Sequence, residues 1–162
     1  MRRRFYGKYR GVVTDNNDER HLGRIKALVP DVLGKEKSDW ATPAVPYAGP
    51  QVGFFLIPPQ DASVWIEFEH GDPDRPIWTG CFWATTNDVP LSPVTPDKKV
   101  IKTAAGTITL DDTQGSTSIT IETPNNLKLK MDQQGIEISK GARKIMISSS
   151  SVAVNDGALE VT

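Results

Sequence analysis

The sequence predicts an all-β protein built from two dissimilar parts. All 12 aromatic residues lie between Phe5 and Trp83, whereas the 66 residues after Pro96 contain none and are rich in Ser, Thr, Ile, Val and Lys. Apolar and polar residues alternate in both parts, with the period of two that is typical of strands. No stretch shows the 3.6-residue apolar period and capping residues of an amphipathic helix.

The first part reads as a series of short strands. Residues 62–69 place Ala62, Val64, Ile66 and Phe68 on one face and polar residues and Trp65 on the other. Residues 9–15, 21–29 and 76–83 are further β-rich runs, separated by turn formers at 15–18, 30–31 and 71–76. Four or five short strands favour a small Greek-key barrel. The OB-fold is a natural candidate, although composition does not distinguish it from an SH3-like barrel.

A proline-rich segment connects the two parts. Pro90, Pro93 and Pro96 recur every third residue, which favours an extended, semi-rigid backbone. We therefore predict three regions, with a barrel domain at 1–86, a linker at 87–99 and a second domain at 100–162.

The second part repeats a strand–turn unit. Pairs of alternating Ile, Leu or Val recur about every 7 to 11 residues, separated by Asp, Asn, Gly and Gln. This pattern indicates a β-solenoid or β-helix. Each strand offers only two or three medium apolar side chains, and at roughly 25 cal/mol per Å² such a stripe cannot offset the entropy of ordering the chain.

The stripe therefore needs a second apolar surface, and the first part is too small to provide it. The simplest solution is a homotrimer in which three stripes meet on one axis, where Ile, Val and Leu fit better than aromatic rings. The predicted trimer core comprises Ile108, Leu110, Ile119, Ile121, Leu127, Leu129, Ile136, Ile138, Ile145, Ile147, Val152 and Val154.

Composition excludes several classes of protein. A formal net charge of −1 argues against bulk electrostatic capture of nucleic acid. One cysteine, Cys81, allows no disulfide within the chain, and two histidines with it cannot supply the four ligands of a structural zinc site. Cys81 lies beside Phe82 and Trp83 in a strand pattern, so we expect it to be a small buried side chain. No apolar run is long enough to span a bilayer.

Several motifs in the first part resemble a known family. They occur in order as LGRIKALVP at 22–30, WATPAVP at 40–46, GFFLIP at 53–58, VWIEF at 64–68 and GDPDRPIWTG at 71–80. They resemble the OB domain of the phage baseplate assembly protein V family, which includes the spike half of the valine-glycine repeat proteins of type VI secretion. The second part is similar to that family's triple-stranded β-helix, and NDGALEV at 155–161 resembles the end of such spikes.

The resemblance implies a trimeric, non-enzymatic spike of a contractile injection machine, without a cofactor. Such spikes are assembled in the bacterial cytoplasm as part of a phage tail or injection particle, and they pierce the target envelope with transient membrane contact. No hub region precedes Phe5, so the hub is expected to be another chain. The tail contains no histidine, which favours a separate tip protein of the PAAR type over a metal-binding tip.

Two terminal segments are the predicted contact sites. The basic and aromatic N-terminal arm is expected to contact the hub, since Arg and Tyr are enriched in protein interfaces. At the other end, three small β-forming termini would present open strand edges to a tip protein. The predicted hub contacts are Arg2, Arg3, Arg4, Phe5 and Tyr6, and the predicted tip contacts are Ala158, Leu159, Glu160, Val161 and Thr162.

Two alternative functions remain at this stage. The arm could make the barrel a single-stranded nucleic-acid-binding module. A cell-wall hydrolase would need paired carboxylates, for which Glu67, Glu69, Asp72 and Asp74 are the candidates, but a turn and a polar strand face explain them better. Asp15, Asn17 and Glu19 have calcium-loop spacing, but Arg20 and Lys26 stand where an EF-hand needs Gly and Glu, so we predict a polar hairpin loop and no metal site.

Overall fold

The structure, a computed structural model, describes residues 3–161, without the side chain of Glu160. The chain divides into two compact units after Asp88. The first strand of the second unit begins at Lys98.

The first unit is a five-stranded barrel. Its main sheet has the order β2-β1-β6-β7-β3, antiparallel except for the parallel pair β3–β7. Ile25 and Ala41, just outside β2 and β3, exchange both backbone hydrogen bonds at 3.2 and 2.7 Å, which closes the sheet on itself. The strands are β1 (Tyr9–Asp15), β2 (Lys26–Leu28), β3 (Thr42–Pro43), β4 (Ala48–Gly49), β5 (Val52–Gly53), β6 (Ser63–Phe68) and β7 (Pro76–Cys81).

The barrel encloses an apolar core. The alternation predicted for residues 62–69 is confirmed, because Val64, Ile66 and Phe68 are buried while the residues between them are half-exposed. Strand β1 also has the predicted bounds. The buried apolar residues are Val13, Ile25, Ala27, Val29, Ala41, Val64, Ile66, Phe68 and Trp78.

Three local features of the first unit differ from the prediction. The turn predicted at residues 30–31 is one turn of helix, α1 (Pro30–Leu33), which starts at the proline because proline has no N–H to lose there. A separate hairpin pairs β4 with β5. Cys81 is exposed and not buried as expected, because β3 pairs only with Ile77 and Trp78 and leaves the end of β7 uncovered.

The second unit is an antiparallel meander of eight strands in sequence order. Strand β8 was missed by the sequence pattern, because Lys99 stands in its apolar row and Val100 on its polar face, which breaks the alternation. The fold class is confirmed as all-β, and the trimer itself lies outside what one chain shows. The strands are β8 (Lys98–Thr103), β9 (Gly106–Asp111), β10 (Ser118–Glu122), β11 (Leu127–Asp132), β12 (Gly135–Lys140), β13 (Arg143–Ile147), β14 (Val152–Val154) and β15 (Leu159–Val161).

Candidate functional site

Two ladders of apolar side chains cross one face of the meander. Directly paired residues of an antiparallel sheet project to the same side, so the strand register defines each ladder. The first runs Leu110, Ile119, Met131, Ile136, Ile147, Val152 and Val161. The second runs Ile101, Ile108, Ile121, Leu129, Ile138, Ile145, Val154 and Leu159.

Eleven of the twelve predicted core residues lie in these ladders, and Leu127 lies beside the second one, opposite Lys140. Sequence reasoning left four ladder residues out of the core set, namely Ile101 and Met131 as well as Leu159 and Val161, which it assigned to the tip contacts. Ile101 belongs to the strand that was missed, whereas Met131 was visible in the alternation of Leu127 and Leu129. The first ladder ends at Lys99, which pairs with Leu110 and forms an ion pair with Asp112.

The ladders are exposed in the single chain, which reverses the usual pattern of a sheet. Ile119 and Ile121 are each 41% exposed and Ile138 is 51% exposed, whereas the polar residues between them are partly covered by their neighbours. Within the described part of residues 89–161, no residue is buried. The meander therefore has no core of its own, and its apolar face requires a cover.

The opposite face of the meander is polar and internally paired. Lys130 lies 2.6 Å from Asp132, and their hydrogen bond raises the pKa of the lysine and lowers that of the aspartate. Lys144 and Asp156 are 2.5 Å apart, and this contact raises the pKa of Lys144. Hydrogen bonds from Thr113, and then Lys98, lower the pKa of Asp111. These charges suit a surface that remains in water.

Tight turns fix the register on which the ladders depend. Asp132 accepts the Gln134 N–H at 2.8 Å in the loop between β11 and β12. Gly135 has a φ of +141°, and a Cβ there would lie 1.9 Å from the carbonyl oxygen of Ile147. A shift of one residue would turn every apolar side chain to the polar face, so these turns protect the ladders.

The N-terminal arm packs against the turn between β6 and β7. The Phe5 N–H donates to the Gly71 carbonyl at 2.9 Å, and the Phe5 ring lies 6.3 Å from that of Phe68. Arg4 lies 3.6 Å from Asp72, and Tyr6 remains 72% exposed. Arg2 lies outside the described residues, and Arg3 lies over the Phe5 ring. Of the predicted hub residues, Tyr6 is thus the ring left open to a partner.

The last strand forms one of the two edges of the meander, and β8 forms the other. β15 pairs with β14 on one side only, through Leu159 opposite Val154 and Val161 opposite Val152. Leu159 and Val161 are 63% and 64% exposed. Among the predicted tip residues, Ala158 precedes this strand, and Thr162 and the side chain of Glu160 lie outside what the structure describes.

The polar loop after β1 is held together by a residue that sequence reasoning missed. Asp15 accepts the Asn17 N–H in a local turn. The next aspartate, Asp18, is buried and accepts backbone N–H groups from Arg20, Leu22 and Arg24 as well as the Arg24 guanidinium. The guanidinium is the main cause that holds the Asp18 pKa well below its ordinary value.

The candidate carboxylates of a hydrolase are engaged in surface contacts. Glu67 accepts from Lys8 at 2.7 Å, and Glu69 lies 3.6 Å from Arg75. Asp72 accepts the Asp74 N–H at 3.2 Å in the turn. Across residues 3–161, no group of three or more His, Cys, Asp or Glu side chains is arranged to hold a metal ion. A search of the same range finds no helix long and apolar enough to cross a membrane.

Phe5 and Tyr9, two of the three aromatic residues of the arm that could stack on nucleic acid, are used within the barrel, whereas Tyr6 is exposed. Phe5, Tyr9 and Phe68 form one ring cluster, and the Tyr9 hydroxyl donates to the Tyr6 carbonyl. They do not form a platform of open rings beside a basic groove, and this removes the main support for a nucleic-acid module.

Comparison with known families agrees with both units. Residues 9–83 match the type VI secretion system/phage-baseplate injector OB domain, and residues 98–160 match the phage baseplate V C-terminal trimerisation domain. The chain belongs to the phage baseplate V spike family. The barrel is therefore the OB domain of this family, and the meander with its uncovered ladders is its trimerisation domain.

Similar proteins come from type VI secretion. The actin cross-linking toxin VgrG1 of Vibrio cholerae is 40% identical over 86 residues, 50% of this chain and 8% of that protein. The type VI secretion system spike protein VgrG3 of Vibrio cholerae is 25% identical over 140 residues, 80% of this chain and 14% of that protein. VgrG5 of Pseudomonas aeruginosa, also a spike protein, is 35% identical over 86 residues, 50% of this chain and 11% of that protein. The chain thus spans only a small fraction of the length of these relatives.

Proposed function

We propose that the chain is the central spike of a contractile injection machine and that three copies wind into a triple-stranded β-helix. The observation that carries this is the pair of uncovered apolar ladders in the part of the chain that matches a trimerisation domain. A threefold arrangement covers the ladders of each copy with those of the other two and leaves the paired charges of the opposite face in water.

The proposed action is mechanical and involves no catalysis. In a closed three-chain helix, many strand hydrogen bonds share an applied load, so unfolding is slow. The spike would be carried outward by contraction of the machine, pierce the target envelope and make transient contact with its membrane.

Native mass tests the proposal directly. Light scattering after size exclusion is expected to give three times the chain mass of 17.8 kDa. A particle of 17.8 kDa across micromolar concentrations would contradict it.

The hub is proposed to bind the N-terminal arm. Tyr6 and Arg3 are the most suitable positions for a mutational test. Phe5 is less suitable, because its ring packs against Phe68 and removing it would destabilise the barrel. Tyr6→Ala is expected to weaken capture of the trimer by its hub protein without changing native mass. If capture by the hub protein is unchanged, the hub binds another part of the barrel.

A tip protein of the PAAR type is proposed to bind the C-terminal end. Three β15 strands would offer unpaired backbone groups and the exposed side chains of Leu159 and Val161. A chain ending at Gly157 is expected to remain trimeric, because most of both ladders is kept, but to lose the tip protein in a pull-down. Retained binding would show that the tip uses another surface.

A further inference from the structure

The barrel carries an apolar patch whose side chains are each more than half exposed. It comprises the side chains on and around the β4–β5 hairpin, together with Leu22 from the facing loop. Their exposed fractions lie between 51% and 68%. We name this set the hairpin patch, and its members are Leu22, Tyr47, Val52, Phe54, Phe55 and Leu56.

We propose that the hairpin patch binds the barrel of a second copy of this chain, so that the trimer is held together at its OB domains as well as along the β-helix. The proposal rests on the proposed trimeric spike and adds a second contact between its subunits.

The patch is large for a surface that stays in water. Aromatic side chains offer about 150–250 Å² each, so Tyr47, Phe54 and Phe55, all more than half exposed, leave on the order of 300 Å² of apolar surface. The groove beside the hairpin is lined by His21–Gly23, Pro43, Val45, residues 48–49 and 51–57, and Trp78, and none of these is Asp, Glu, Lys or Arg. A surface without charge fits a partner surface that is equally apolar.

The patch is held in place by the backbone. The Phe54 N–H donates to the Tyr47 carbonyl at 3.0 Å across the hairpin. Gly53 has a φ of +147°, and a Cβ there would lie 2.7 Å from the same oxygen, so the approach of the two strands requires glycine. The Trp78 indole donates to the Gly23 carbonyl at 3.1 Å, and the edge of Phe55 lies against Gly23. The rings are therefore presented in advance of binding, which reduces its entropic cost.

Chain length favours a second copy as the occupant. Residues 89–97 lie between the barrel unit and β8, and nine residues reach about 30 Å when fully extended. An 88-residue domain is itself about 30 Å across. Each barrel has its own tether, so trimerisation of the second unit would hold the three barrels within about two diameters of each other, where short tethers give effective concentrations in the millimolar range.

The hub is a less suitable occupant for this patch. The N-terminal arm, which is the proposed hub contact, packs against Gly71 and Asp72, and neither the arm nor that turn lines the groove beside the hairpin. Barrels related by a threefold axis can instead bring one patch from each copy together around the axis.

Photo-crosslinking of the purified 162-residue chain, without a hub protein, tests the proposal. p-Benzoylphenylalanine in place of Phe54 is expected to give covalent dimers and trimers on a denaturing gel. The same group in place of Lys35, an exposed residue outside the patch, is expected to give at most a tenth of that yield and controls for tethering alone. Adding Phe55→Ser to the Phe54 probe is expected to lower the yield several-fold while tryptophan fluorescence shows an intact barrel.

Native mass of the same samples separates the two hypotheses. A trimer that crosslinks at position 54 no better than at position 35 overturns the barrel contact and leaves the spike standing. A monomer overturns both. In a further sample, the hub protein is added. If position 54 then crosslinks to the hub and never to another copy of the chain, the patch is a hub contact and the proposal is overturned.

Discussion

At the scale of single residues, Asp18 and Gly135 each fix the path of the backbone around them. Asp18 gathers three backbone N–H groups and a guanidinium, and so fixes the loop that leads into Ile25 and the closure of the barrel. Gly135 allows β12 to begin within contact distance of the carbonyl of Ile147. Both act by holding backbone in one arrangement.

Asp18→Asn is expected to destabilise the barrel at neutral pH. The folded pKa of Asp18 lies below the ordinary 3.8, so its contribution to the free energy of unfolding is complete above pH 3.8 and is lost as the pH falls toward the folded value. The thermal midpoint from tryptophan fluorescence should therefore differ between the two proteins at pH 7. The difference should narrow below about pH 4. A difference that stays constant down to about pH 3 would show that Asp18 does not act through its charge.

Gly135→Ala is expected to destabilise the meander by about 1–3 kcal/mol or more per copy, because the new methyl group meets the Ile147 carbonyl. Gly141→Ala is the matched control. Its φ is +59° with open space around the position, so only the backbone cost of about 1 kcal/mol applies. The measurement is the denaturant midpoint of the trimer for each variant. Equal midpoints for Gly135→Ala and Gly141→Ala would refute the close approach of Gly135 to Ile147.

At the scale of elements, each strand of the meander has one apolar and one polar face. β10 shows this with adjacent residues, since Ile119 lies in the first ladder while Thr120 pairs with Thr109 and Lys130 on the other face. The same substitution at Ile119 and at Thr120 therefore tests the apolar and the polar face separately.

Ile119→Asp is expected to abolish the trimer at micromolar concentration, because three carboxylates would be buried near one axis at several kcal/mol each. Thr120→Asp is expected to leave the trimer intact, since its carboxylate would face water opposite Lys130. Native mass is the measurement. If both variants remain trimeric, or both dissociate, the assignment of faces is wrong.

At the scale of the whole molecule, the two units have different sources of stability. The barrel has its own buried core, whereas the described residues of the second unit include none that are buried. The first unit should therefore fold within a single chain, whereas the second unit should fold only when three chains associate.

Refolding from denaturant is expected to separate these events, because all 12 aromatic residues belong to the first 83 residues. Tryptophan fluorescence should recover at a rate independent of protein concentration. The remaining far-UV circular dichroism should recover faster as concentration rises, since it requires three chains. One rate for both signals, unchanged over a hundredfold range of concentration, would show that the second unit folds alone.

The sequence determined the elements whose signal is local. Alternation located β1 and β6 and most strands of the meander, because side-chain direction has a period of two in any strand. The same alternation placed all twelve predicted core residues on one face, eleven of them within the two ladders. Strand β8 was missed because Lys99 occupies the end of the first ladder, where a charged side chain can still reach water.

Only the tertiary structure decided the features that depend on distant pairing. The closure of the barrel through Ile25 and Ala41, the anchoring of Phe5 on Phe68 and the exposure of Cys81 each depend on residues far apart in the chain. The hairpin patch is the clearest case. Phe54, Phe55 and Leu56 are exposed beside the short β4–β5 hairpin, because the core is already filled by residues of the closed sheet. Ile57, next along the chain, packs partly against that core.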